Sequence, residues 1–240
     1  MLKYLLGLIC LAFSQLATAD SNEIAQAKNV IDTILHDNNA FAKHHKHQYF
    51  ERFAKSQHPR ATVVTCADSR VHDQALEHDP DNDLFIVRNI GNQITTAEGS
   101  VEYGVHHLHT PLLLIVGHSA CGAIKAAGGD YKNESVAIKR ELSTIKLSHA
   151  ISPEDEREVL NGVMDNVNYQ VNLAQKKFDL ELKQGHLVII GAVYDFTNVL
   201  SHGEGKLTIT NINGDTNPKH IREFIRSTEH HRPILKQQKS

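Results

Sequence analysis

Residues 112–122 read Leu-Leu-Leu-Ile-Val-Gly-His-Ser-Ala-Cys-Gly. A short, uninterrupted apolar run that ends abruptly in small and polar residues has the pattern of a strand buried on both faces, and the polar end marks where it leaves the sheet. Three other segments share the pattern: residues 61–65 (ATVVT), 84–88 (LFIVR) and 187–194 (LVIIGAVY). Between them lie helical periods at residues 96–107, with Val101, Val105 and Leu108 on one face, at 120–127, and over a long stretch from about 154 to 182. Alternating strands and helices with continuously apolar strands imply an α/β fold: a mainly parallel four-stranded sheet with helices on both faces. Residues 206–212 (KLTITNI) instead alternate with period two after a turn-rich segment, which fits a fifth, antiparallel edge strand. Asn217-Pro218 opens a short C-terminal helix. At the other end Ile24, Ala27, Val30, Ile31, Ile34 and Leu35 recur at helical spacing behind Ser21 and Asn22, predicting a capped helical arm that reaches about His47.

Composition narrows the class. With 25 Lys+Arg against 28 Asp+Glu, a formal charge of −3 and 40% hydrophobic residues, the chain of 240 residues has an ordinary globular make-up and no basic footprint for nucleic acid. Residues 1–19 read as a signal peptide: Lys3 supplies the positive start, residues 5–13 are nearly all apolar, and Ala17-Thr18-Ala19 is an A-x-A cleavage site ahead of Asp20. The apolar run falls short of the ~20 residues that span a bilayer, so no membrane span is expected. A lipoprotein signal at Cys10 needs a small residue before it, and Ile9 is not small. The expectation is therefore an exported protein, periplasmic or fully secreted, with one catalytic domain over residues 20–240.

Removal of the leader leaves two of the three cysteines, Cys66 and Cys121. In an oxidising compartment a single disulfide is the simple reading. Their neighbours argue otherwise. In open parallel sheets chemistry collects at the carboxyl ends of the strands, and there the first strand runs into Cys66-Ala67-Asp68-Ser69-Arg70 while the third runs into His118-Ser119-Ala120-Cys121-Gly122. Two thiolates and an imidazole suit tetrahedral zinc with a fourth position left for oxygen. A disulfide leaves His118, Asp68 and Arg70 without a role; a metal centre uses all five. Asp68 can accept a hydrogen bond from a zinc-bound hydroxide, and Arg70 can hold Asp68 in a charge-assisted pair that keeps it off the metal.

The segments Cys66/Asp68/Arg70 and His118/Cys121/Gly122, together with LFIVRNIGN at residues 84–92, closely resemble β-class carbonic anhydrases over about residues 57–126. The resemblance implies one zinc per subunit held by Cys66, His118 and Cys121, and reversible hydration of carbon dioxide to bicarbonate by zinc-bound hydroxide. It also implies substrate contacts from Gln57 across a homodimer interface, an apolar cleft lined by Phe85, Ile90 and Tyr103, and a backbone donor at Gly122. Higher oligomers remain open. A bicarbonate-regulated branch carries Trp three residues before the first Cys ligand and Gly directly before it; Val63 and Thr65 stand there, which places the chain with the open-site branch. From the residues alone, Phe85, Ile90 and Tyr103 read first as core packing.

Other readings remain at this stage: a zinc hydrolase of another small cumulated carbon species such as carbon disulfide, a non-catalytic zinc-binding protein, or a metal-free disulfide protein. His44-His45-Lys46-His47 reads as a solvated helix end. His106, His107 and His109 are candidate proton shuttles whose simpler reading is a decorated helix end.

Overall fold

The computed structural model describes the backbone of residues 2–229 and the side chains of residues 22–228. The chain divides into two compact units, Met1–Ser56 and Gln57–Ser240.

The first unit holds helix α1 (Leu2–His44) and the short α2 (His47–Glu51). The expected arm is present, but it does not begin behind Ser21 and Asn22. The helix is continuous through them because residues 2–20 contain no proline to stop it. Ile24, Val30, Ile31, Ile34 and Leu35 are each 56–60% exposed. The histidine-rich patch is part of an aromatic clasp: His45 lies 4.0 Å from the Phe41 ring and 4.2 Å from the Tyr49 ring, and His47 pairs with Glu51 at 3.0 Å.

The second unit is built on a five-stranded sheet of β1 (Ala61–Cys66), β2 (Leu84–Asn89), β3 (Leu112–His118), β4 (Val188–Asp195) and β5 (Lys206–Ile212), in the order β2-β1-β3-β4-β5. The first four strands are parallel and β5 pairs antiparallel with β4 at the edge. All six residues of β1 are buried, as its apolar run requires. The helices are α3 (Glu98–Glu102), continued by a wide π-helical turn over Tyr103–His107, then α4 (Gly122–Gly128), α5 (Val136–Ser143), α6 (Glu156–Lys177), α7 (Asp179–Lys183) and α8 (Pro218–Glu229). Helix α5 had no counterpart in the sequence reading; Ser135 caps it by accepting from the Ile138 N–H.

The longest helix of this unit, α6, starts where Asp155 accepts from the Arg157 and Glu158 N–H groups, and it buries Val159, Val163, Val167 and Val171. It lies close to the sheet because two strand glycines make room. A Cβ on Gly117 meets Val163 at 2.6 Å and Val167 at 2.8 Å; one on Gly191 meets Val167 at 2.7 Å and Val171 at 3.0 Å. Both glycines face the branched side chains of α6 valines, which are themselves buried and have little room to turn away. Gly117→Ala is expected to destabilise by about 1–3 kcal/mol, seen as a fall in Tm of several degrees. An unchanged Tm would show that α6 is not seated on this seam.

Parallel strands in register also align the strand ends. Cys66 is opposite Asn89, and Thr65 is opposite Val116 two residues before His118. The carboxyl edges of β1, β2 and β3 therefore meet in one place, where the sequence has put its polar segments.

Candidate metal centre

The Sγ atoms of Cys66 and Cys121 and a ring nitrogen of His118 all lie within 4.8 Å of one another, and all three residues are buried. Cys66 is the last residue of β1 and His118 the last of β3; Cys121 is the N-cap of α4. Among the described residues no other trio of such ligand atoms comes this close. The cysteines are free, which removes the disulfide reading.

Three features test whether this trio fits zinc. Donors around a tetrahedral zinc stand about 3.5–4 Å apart, compatible with the observed cluster. The imidazole is oriented: Nδ1–H of His118 donates to the Ser119 carbonyl at 2.9 Å, which leaves the lone pair on Nε2. That Nε2 is buried and has no hydrogen-bond partner, a costly arrangement for a core histidine and the arrangement a metal ligand needs. The thiols are also prepared. Hydrogen bonding from Cys121 pulls the Cys66 thiol well down, with the Gly91 N–H adding to it. The same contact, with burial, pushes the Cys121 thiol up, while the Ile124 and Ala123 N–H groups at the start of α4 oppose that rise. The two thiols are thus pushed in opposite directions by their contact, and a bound dication favours the thiolate form of both. The residues fit zinc.

Asp68 and Arg70 stand beside the trio. Arg70 Nε donates to Asp68 Oδ1 at 2.9 Å and Nη2 to Oδ2 at 2.7 Å, a two-point pair, and the Arg70 N–H adds a third bond to Oδ1 at 3.0 Å. Arg70 Nη2 also reaches the carbonyl of Ala120 at 3.2 Å. The guanidinium holds the Asp68 carboxyl far below the usual carboxylate range. Asp68 is therefore an acceptor only, with Oδ2 3.9 Å from His118 Nε2.

The remaining expected site residues are spread out within one chain. Gly122 opens α4 next to Cys121, where a Cβ would meet nothing. Ile90 follows β2 at the metal end and is 38% exposed. Phe85, however, sits opposite Thr62, four residues down the strand from Asn89 and so about 13 Å from that edge. It packs on Tyr103 at 5.8 Å, and Tyr103 is 42% exposed. Gln57 is exposed in the segment before β1. His106 pairs with Glu181 at 3.0 Å and His107 stacks on Tyr103 at 4.4 Å.

Several contributors escaped the sequence reading. Ala120 adopts φ +53°, a left-handed conformation that costs a non-glycine residue about 1–2 kcal/mol, and its carbonyl is the one that receives Arg70. Gly91, at φ +78°, offers its N–H to Cys66 and its carbonyl to Asn166 Nδ2 at 2.9 Å. Gln93, Asn166 and Gln170, all buried, close a network behind it: Gln170 Nε2 donates to Gln93 Oε1 at 2.8 Å, and Gln170 Oε1 accepts from the Ile94 N–H at 2.9 Å. A glycine following a strand was the only sequence signal for this support. Asn166→Leu leaves the Gly91 carbonyl with one partner fewer and places a branched apolar chain among amides. It is expected to cost about 2–4 kcal/mol by denaturant titration. A loss below half a kcal/mol would mean the network is not shared in this way.

Comparison with known proteins agrees with this geometry. A family model described as carbonic anhydrase matches residues 61–204. Over 163 residues the chain is 36% identical to a carbonic anhydrase of Pseudomonas aeruginosa, covering 62% of this chain and 74% of that one. It is 35% identical over 105 residues to one from Synechococcus elongatus, covering 41% and 38%. The matched segment spans less than half the length of several such relatives, as with 38% and 42% for those of Synechococcus elongatus and Mycolicibacterium smegmatis. In fold it is similar to tetrameric β-carbonic anhydrases of Sordaria macrospora, with TM-score 0.66 at 24% identity over 75% of this chain and 96% of that one. The Coccomyxa β-carbonic anhydrase gives 0.63 at 23% identity over 82% and 96%. With its ligand trio and Asp68-Arg70 pair inside the matched region, the chain belongs to the β-class carbonic anhydrase family.

Proposed function

We propose that this chain is an open-site carbonic anhydrase that interconverts carbon dioxide and bicarbonate with one zinc per subunit held by Cys66, His118 and Cys121. The observation that carries the reading is the buried, unpartnered Nε2 of His118 beside two thiols, with an ionised Asp68 oxygen 3.9 Å away. When bound, zinc supplies Lewis acidity that makes water ionise near neutral pH. The chain's own residues do the rest. Asp68, locked by Arg70, accepts a hydrogen bond from the attacking water and so aims a lone pair at the substrate carbon. The two-point pair with Arg70 supports the open-site assignment, because both Asp68 oxygens are already engaged. Gly122 presents a backbone N–H beside Cys121 for charge that develops on the substrate oxygen.

A second copy completes the site in this reading. Gln57, Ile90 and Tyr103 are exposed on a single chain, and Ile90 stands apart from the Phe85-Tyr103 pair there; in a homodimer these groups would be brought together across the interface, where Gln57 orients bicarbonate and the apolar groups keep a dry slot for carbon dioxide. The A-x-A segment at residues 17–19 supports cleavage before Asp20 and export to the periplasm. Among the described residues no helix is long and apolar enough to cross a membrane.

Metal analysis and stopped-flow carbon dioxide hydration on the purified protein test this directly. One zinc per chain with hydration well above the buffer rate is the expected result. One zinc without acceleration removes the reaction, and a metal-free, inactive protein removes the site as well.

A further inference from the structure

We propose that Phe196 is a positioning residue of the metal centre, which sets the orientation of His118 and of the Asp68-Arg70 pair together; the inference rests on the metal-centre reading above. Phe196 lies just past β4. Its ring stacks on the His118 imidazole, with centroids 5.8 Å apart and planes inclined by 23°. The same ring receives the Arg70 guanidinium, whose central carbon stands 4.8 Å from the centroid, within cation–π range. Besides the 3.9 Å approach of Asp68 Oδ2 to His118 Nε2, this ring is a second element that touches both the ligand and the orienting pair.

The ring is itself held from two sides. Ser119, directly after His118, accepts at its Oγ from the Phe196 N–H at 3.1 Å and from the Thr197 N–H at 3.3 Å, while the Ser119 N–H donates to the Tyr194 carbonyl at 3.0 Å. The ends of β3 and β4 are thereby stitched across the very residues that flank the imidazole. Asp195, buried, accepts from the Leu200 N–H at 2.8 Å and the Thr197 N–H at 3.2 Å, which fixes the turn that follows. Tyr194 closes the remaining side with its ring 5.8 Å from that of Phe196 at 61°. A side chain that only filled space would not need this much backbone fixation.

Arg70 is half exposed; its Asp68 pair and its bond to the Ala120 carbonyl hold the edge of the guanidinium, and the Phe196 ring covers its face. Without the ring the plane of the guanidinium and that of the imidazole lose the surface they share. Outer-shell hydrogen-bond partners that orient metal ligands change metal affinity by about 10–100-fold when removed, and a stacked ring is expected at the lower end of that range.

The test uses the full-length protein and the variants Phe196→Leu, Phe196→Met and Phe196→Tyr. Zinc affinity is read by competition against a chromophoric chelator, and ligand geometry by the visible spectrum of the cobalt(II)-loaded form. Phe196→Leu and Phe196→Met are expected to weaken zinc binding about tenfold and to shift the cobalt bands, while Phe196→Tyr, which keeps an aromatic face, restores both. Leu and Met differ in packing, so the Met variant decides the matter should the Leu variant fail to fold. Parental affinity and spectrum in both the Leu and Met variants overturn the proposal, as does a Tyr variant that is as impaired as they are. An unmodified protein that takes up neither metal instead overturns the metal-centre reading on which it rests.

Discussion

Cys66→Ala is expected to yield a folded protein that no longer retains zinc and hydrates carbon dioxide at the buffer rate. Four-ligand zinc sites bind with about 10–16 kcal/mol, roughly 3 kcal/mol per ligand, so losing one of three protein ligands should weaken binding by more than about a hundredfold. The loss is sharpened because Cys66 is the thiol already drawn toward thiolate by Cys121 and the Gly91 N–H. Its partner, left alone, is a buried thiol with no second sulfur beside it. Cys66→Ser, nearly the same size, separates metal loss from packing loss. Both variants should lack zinc by metal analysis while keeping the circular dichroism of the parent. Stoichiometric zinc in Cys66→Ser would move the ligand role elsewhere.

Asp68→Asn is expected to do the reverse: zinc stays and turnover falls by about 10²–10⁴. The amide keeps the shape of the carboxylate but replaces one acceptor with a donor, so it cannot accept two bonds from Arg70 and a third from water. Arg70→Lys should fall nearly as far despite keeping the charge. An ammonium cannot supply the two-point pair, the bond to the Ala120 carbonyl and a flat face for Phe196 at once. Metal content and stopped-flow rates measured on the same samples check both. Parental turnover in Asp68→Asn would end the orienting role of Asp68.

Most of the architecture could be read in advance because a parallel sheet buried on both faces writes itself as apolar runs. The run at 112–117 became Leu112–His118, and the run at 61–65 became Ala61–Cys66. The candidate ligands were legible because they are chemically specific residues at a predicted sheet edge: Cys66 and His118 end strands, and Cys121 caps the helix that follows. What stayed hidden depends on backbone conformation and on contacts between distant segments. Nothing about Ala120 as a residue type announces φ +53° or a carbonyl aimed at Arg70, fifty positions away. Phe196 reads as one more aromatic after a strand until β3 and β4 are paired. The Gln93-Asn166-Gln170 network joins residues more than 70 positions apart through amides that sequence patterns treat as surface. Helix α1 was misplaced at its start because the expected cap residues do not end a helix when helix-compatible residues precede them.

The proposed ligands also come from neighbouring strands rather than from one. Cys66 ends β1 and His118 ends β3, so an ion held by both is a fastener across the middle of the sheet. Its binding free energy is then part of the folding equilibrium: free zinc at a hundred times its dissociation constant adds about 2.7 kcal/mol to the stability of the folded chain. With zinc held there, the melting temperature of the protein would follow zinc activity in its surroundings, and a chelator would act as a mild denaturant.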